Sequence, residues 1–228
     1  MPAYISHLKM AQDVSENFNN IDNEYMITFS LGGDLAKYSK CRVLSHKVKQ
    51  DEFIINMCDY IKNNNLLDNK YLLGALYGHI CHYVMDEIVH PLIREIDKKS
   101  TKVNIKSHTL IEAYFDNYLL EKYNLKEQKL LTGKVRKIEK MIDYAYLKTY
   151  GIKNVSRSYK ITKLLYSKIH LIRIFKVDII LSKLFNYRKF IKINKDNLDI
   201  NEFDSQYKLS INEAINYIKN INIYLYEK

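Results

Sequence analysis

The apolar positions of the stretch from Tyr71 to Pro91, YLLGALYGHICHYVMDEIVHP, recur at helical spacing with no breaker before the proline, which predicts one long buried helix. Pro91 disfavours the helical conformation in the residue before it, so this helix is expected to end near His90. A second amphipathic run, SHTLIEAYFDNYLLEKY, predicts a helix starting around Ser107, a suitable cap. Upstream, a helix is expected from about Asp51, joined to the long one by a loop at the asparagine tract 63–65. With only six Gly and two Pro and no strand-like alternation, the pattern argues against a doubly wound sheet. The expectation is an all-α fold, a single-domain multi-helix bundle over residues 1–228.

Six of the seven histidines lie in the first 108 residues, and several fall on the two helices just described. Residues four apart on a helix share a face, so His82, Asp86 and His90 form a line of imidazole, carboxylate and imidazole. His108 and Glu112 repeat the spacing one helix later, where a histidine and a carboxylate on one turn can chelate. Either pair alone is ordinary in a protein core or surface. Together they would bury several polar groups without partners, a cost that metal binding removes. Neutral imidazole with carboxylate suits zinc, and three protein ligands plus water is the arrangement of a catalytic rather than a structural site. A metal site between helices is therefore expected. His79, on the face of His82 and Asp86, reads as cavity lining or outer support, and Asp116, one turn past Glu112, as outer support or a solvent-facing group. His170 stands alone and reads as structural.

The order of these segments resembles the zinc-dependent phospholipase C family, similar in fold and metal site to the S1/P1 nucleases. The resemblance is carried by MPAYISHLKMA with its early His7, by LGGD with Asp34, by VLSH with His46, by the helix ending H-Y-x-x-D-x-x-x-H-P, and by the following H-x-x-x-E. It spans about the first 125 residues, the metal-binding core. FDSQYKLSINEAINYI fits more loosely. The resemblance implies two or three Zn2+ ions: one on Asp34, His46, His82 and Asp86, a second on His90, His108 and Glu112, and a third on His7 with Asp86 as bridging carboxylate. The family completes the third ion with a mature N-terminal tryptophan, whereas this chain contains no Trp. The implied chemistry is metal-assisted hydrolysis of a phosphate ester, with Asp34 both a ligand and the candidate base for the attacking water. A phospholipase C-like phosphodiesterase acting at a phospholipid headgroup is the first reading. The alternatives are an S1/P1-like nuclease acting on single-stranded nucleic acid, and a zinc-binding protein without catalysis whose basic face binds a partner.

Charge changes the picture of the surroundings. Between Gly133 and Lys195 there are 17 Lys/Arg against three acids, while the whole chain is +10, so this basic helical region outweighs a net acidic remainder. Such a face suits polyanions: a phosphodiester substrate, an anionic membrane surface or nucleic acid. The run YKITKLLYSKIHLIRIFKVDIILSKLFNYRKF interleaves apolar and basic residues at helical spacing, which describes either a helix lying on a membrane or, the reading favoured here, a core helix with a basic solvated side. No window reaches the length of a membrane span, and the N-terminal residues have no export-signal pattern, so a cytoplasmic location is expected. Cys41, Cys58 and Cys81 are odd in number and unpaired in spacing, which reads as buried free thiols.

Overall fold

A computed structural model describes residues 4–32, 50–99, 107–125, 140–161 and 199–227. These residues form helices α1 (Tyr4–Ser15), α2 (Asn23–Phe29), α3 (Gln50–Asn63), α4 (Lys70–Lys99), α5 (Ser107–Lys122), α6 (Lys140–Tyr150), α7 (155–161) and α8 (Ile200–Tyr226). No strand occurs among them, and the fold is all-α.

Helix α4 is the axis of the bundle. Leu72, Leu73, Ala75, Leu76, Tyr77, Ile80, Cys81, Val84 and Met85 are all buried, so its first half is apolar around most of its circumference, as a helix enclosed by others must be. It packs against α1, α2, α3, α5, α6 and α8. Helix ends are set locally. Asp22 caps α2 by accepting from Tyr25 N–H at 3.0 Å, Asn69 caps α4 through Leu72 N–H at 2.9 Å, and Asp199 caps α8 through Glu202 N–H at 2.9 Å. The asparagine tract closes α3 as expected: Asn65 adopts φ 54° and Leu66 N–H reaches back to Ile61 O at 2.9 Å, the left-handed stop that Asn tolerates.

The expected end of the long helix near His90 is not observed: α4 runs through Pro91 to Lys99, 30 residues in all. Proline removes the hydrogen bond to the carbonyl four residues back, here that of Glu87. Both Pro91 and Glu87 are exposed, so water can serve that carbonyl, while Leu92, Ile93 and Ile96 beyond it are buried and hold the last turns in place.

Two glycines set how close α2 comes. A Cβ at Gly74 would lie 2.6 Å from the Asp22 carbonyl oxygen, and one at Gly78 would collide with the Met26 carbonyl and lie 2.8 Å from the Phe29 carbonyl carbon. The backbone of α2 thus rests directly on α4, carrying Ser30 and Gly32 down onto the motif residues. Helix α8 packs along α4, and its Phe203 stacks on Phe115 of α5 at 3.9 Å between ring centroids.

No helix of the described residues is long and apolar enough to cross a membrane. Within the basic region the structure describes 140–161. There Lys140, Lys148, Lys153, Arg157 and Lys160 are exposed while Ile142, Ala145, Tyr146, Val155 and Tyr159 are buried, which is the solvated basic side of a core element. Most of the interleaved run beyond it, with His170, lies outside the described residues.

Candidate metal centre

Three helices bring six predicted ligands together. Helix α4 supplies His82, Asp86 and His90 in line, α1 supplies His7, and α5 supplies His108 and Glu112. The Asp86 carboxylate is the hub: Oδ1 lies 2.9 Å from His90 Nε2 and 3.4 Å from His7 Nε2, and Oδ2 lies 3.4 Å from His82 Nε2. One turn further along α4, Glu112 Oε1 stands 3.1 Å from His108 Nε2 and 3.9 Å from His90 Nε2. The donor atoms form two groups, His7/His82/Asp86 and His90/His108/Glu112, each with atoms within 4.8 Å of one another, and each able to hold a metal ion. The second is the set the resemblance implies. In the first, His7 and His82 share one carboxylate and their rings lie 4.5 Å apart.

Several buried atoms ask for a cation. His82 Nδ1 is 3.0 Å from the Ser30 carbonyl, which can only accept, so Nδ1 carries a proton and Nε2 is the nitrogen that faces Asp86; in the single-proton tautomer it turns its lone pair towards that carboxylate. Two acceptors facing each other need a proton or a metal between them. His7 Nδ1 and Glu112 Oε2 are buried and meet no hydrogen-bond partner among the described residues, an expensive condition for polar atoms.

The electrostatics of the metal-free cluster agree. Burial, with His82 and His90 nearby, pushes His7 down to about 3 despite the pull of Asp86, so it is a neutral imidazole at pH 7. Burial also opposes ionisation of Asp86, but the charges and hydrogen bonding of His82, His90 and His7 outweigh it and hold the carboxyl well below its usual range. His90 is raised by its hydrogen bond to Asp86, and His108 is lowered by burial and by His90. Burial pushes Glu112 up to about 7, against the opposing influence of His90. A zinc-type donor set requires neutral imidazoles and ionised carboxylates; His7, His108 and Asp86 are already biased to those forms, while His90 and Glu112 would give up a proton to an ion, and the residues present fit such an ion.

The other predicted residues fall differently. Asp34 and His46 lie outside the described residues, as does Cys41. Cys58 and Cys81 are buried free thiols. His79 turns away from both donor groups: its Nε2 pairs with the Tyr146 hydroxyl and its ring packs on Phe53 at 4.5 Å, and burial pushes it down to about 3. Asp116 is buried and bonded to the first turn of α1, so it does not face solvent.

Sequence reasoning did not anticipate three contributors. The Ser30 carbonyl fixes the His82 tautomer, Gly32 (φ 50°) leaves room where a Cβ would run into the His82 ring, and Gly74 with Gly78 admit α2. A signal was present: the motif helix carries Gly-x-x-x-Gly just ahead of His82, the spacing that places two small residues on one face for close backbone approach.

No protein-family model matches this chain. Searches of curated proteins and of solved structures likewise give no significant match.

Proposed function

We propose that the chain is a zinc-dependent hydrolase of phosphate esters, a phosphodiesterase of the phospholipase C type that acts at a phospholipid headgroup. The observation that carries this reading is the pair of adjoining His/carboxylate groups joined through Asp86 and His90, together with the unpartnered buried atoms of His7 and Glu112. Imidazole with carboxylate suits zinc, and the lack of thiolate in both groups fits a catalytic rather than a structural zinc site. His7, His82 and Asp86 would hold one ion, and His90, His108 and Glu112 would hold another. Ions so held supply an acidified water and positive charge to a phosphoryl group.

The chain's own residues do the rest. Ser30 keeps His82 in the tautomer that presents Nε2. Asp86 stays ionised and orients three imidazoles at once. Asp34, which lies outside the described residues, would be the base for the attacking water on the resemblance alone.

The test begins with metal content by mass spectrometry on protein purified without a metal-affinity tag. Two or three zinc per chain are expected, with a larger loss in Asp86→Ala, whose carboxylate meets three imidazoles, than in His108→Ala. Turnover of a chromogenic phosphodiester is then compared with that of Asp34→Asn, and headgroup release from vesicles with cleavage of single-stranded DNA. Zinc-loaded protein without turnover, and indistinguishable from Asp34→Asn, would sink the enzyme reading. DNA cleavage without headgroup release would replace lipid by nucleic acid.

A further inference from the structure

One turn beyond Glu112 on α5, the buried carboxylate of Asp116 faces α1. Its Oδ2 accepts from Ile5 N–H at 3.2 Å, and its Oδ1 accepts from Ser6 N–H at 2.9 Å and from the Ser6 hydroxyl at 2.6 Å. The first turn of an α-helix has N–H groups without intrahelical partners, and a side chain of the same segment usually takes one of them. In this protein the acceptor comes from another helix, about 110 residues away in sequence. A carboxylate in that place is further favoured by the partial positive charge of the helix N-terminus.

The residue after Ser6 is His7. A local cap would satisfy the same N–H groups yet leave α1 free to turn or slide against its neighbours. Side chains reach roughly 5–6 Å from a helix axis, so a turn of about 20° displaces an imidazole by about 2 Å, several times the roughly 0.5 Å tolerance of a working site. Glu112 and Asp116 lie four residues apart on one face of α5, so a single helix presents one carboxylate to His90 and His108 and the other to the turn that bears His7.

We propose that Asp116 is a positioning residue that locks the first turn of α1 onto α5 and so sets the His7 imidazole against Asp86 and His82. The consequence for metal affinity rests on the metal reading above; the placement of His7 does not. A matched control exists in Asp143, which caps α7 with the same chemistry, accepting from the Ser156 N–H and hydroxyl, and belongs to neither donor group.

The experiment has two arms. In the first, imidazole NMR of chelator-treated protein reads the cross-relaxation between the His7 and His82 rings, whose centroids are 4.5 Å apart. Asp116→Asn should lose it and Asp143→Asn should keep it. In the second, zinc titration of the same proteins should show one class of site weakened about 10- to 100-fold in Asp116→Asn, the usual consequence of losing an outer-shell partner, with the other class and the Asp143 variant unchanged. Retention of the His7–His82 signal in Asp116→Asn overturns the proposal whether or not zinc binds. Loss of that signal in a protein that takes up no zinc upholds the positioning and refutes the metal reading instead. If Asp116→Asn does not fold, Ser6→Ala, which removes one bond of the three, makes the same comparison with a smaller expected effect.

Discussion

Gly32 and the buried histidines are the residues whose chemistry is most exposed to test. Replacing Gly32 by Ala strains a backbone at φ 50° and drives a methyl into the His82 ring, so the imidazole must leave the Ser30 carbonyl. The expected outcome is a loss of about 1–2 kcal/mol from the left-handed backbone and a 10- to 100-fold weaker zinc site at His82, read by urea denaturation and zinc titration. Acid should act through His7 and His79. Each has a folded-state value of about 3 against 6.5 unfolded, so the unfolded chain binds protons that the folded chain refuses. Stability is therefore full above about pH 6.5 and falls as pH drops towards 3, by about 2 kcal/mol for each histidine at pH 5. Denaturation of chelator-treated protein at pH 7 and 5 measures this, and His79→Phe should show a shallower loss. Glu112 works in the same direction for the metal: raised to about 7 by burial, it must lose its proton to become a ligand, so affinity at His90/His108/Glu112 should climb as pH rises through about 7 and level off only above it. At this scale the grouping of the candidate donors on α4 and α5 was legible, because i, i+4 spacing on a helix fixes side-chain direction without reference to the rest of the fold. His79 read as cavity lining or outer support, and the partner its nitrogen finds, the Tyr146 hydroxyl, was not legible because Tyr146 stands on a distant helix.

Among the elements, α4 is the instructive case. Its apolar periodicity identified it, but Pro91 suggested a stop that the structure does not make. A proline's cost depends on whether the carbonyl it strands can reach water and on whether the turns beyond it bury apolar side chains, and neither is a local property. Pro91→Ala should restore the missing hydrogen bond to Glu87 O and stabilise the protein by about 1–3 kcal/mol, with zinc stoichiometry unchanged; a fall in stability would show that the proline is needed where it stands. The α2–α4 contact makes the opposite prediction. Gly78→Ala places a methyl against the Met26 and Phe29 backbone, so α2 must lift, costing about 1–3 kcal/mol and withdrawing Ser30 from His82. The two variants separate helix continuity from helix approach: the first should raise the melting temperature with the site intact, the second should lower it and loosen the site.

For the whole molecule, metal and fold should be linked. An ion that binds only the folded chain stabilises it by about 2.7 kcal/mol at a hundredfold excess over its dissociation constant, so chelation of zinc-loaded protein should lower the melting temperature, and Asp86→Ala should remove most of that difference. The all-α class, the main helices of the N-terminal half and the helical pairing of the candidate donors could be read from the amino-acid order, because helical periodicity and caps act over one or two turns of chain. What needed the packed bundle was the meeting of distant parts: His7 beside His82, Ser30 under the same ring, and Asp116 on the first turn of α1. Those contacts join residues 52 to 110 positions apart, and they exist because glycines and buried apolar faces set the distances between helices. Side-chain spacing along one helix carries no information about that separation.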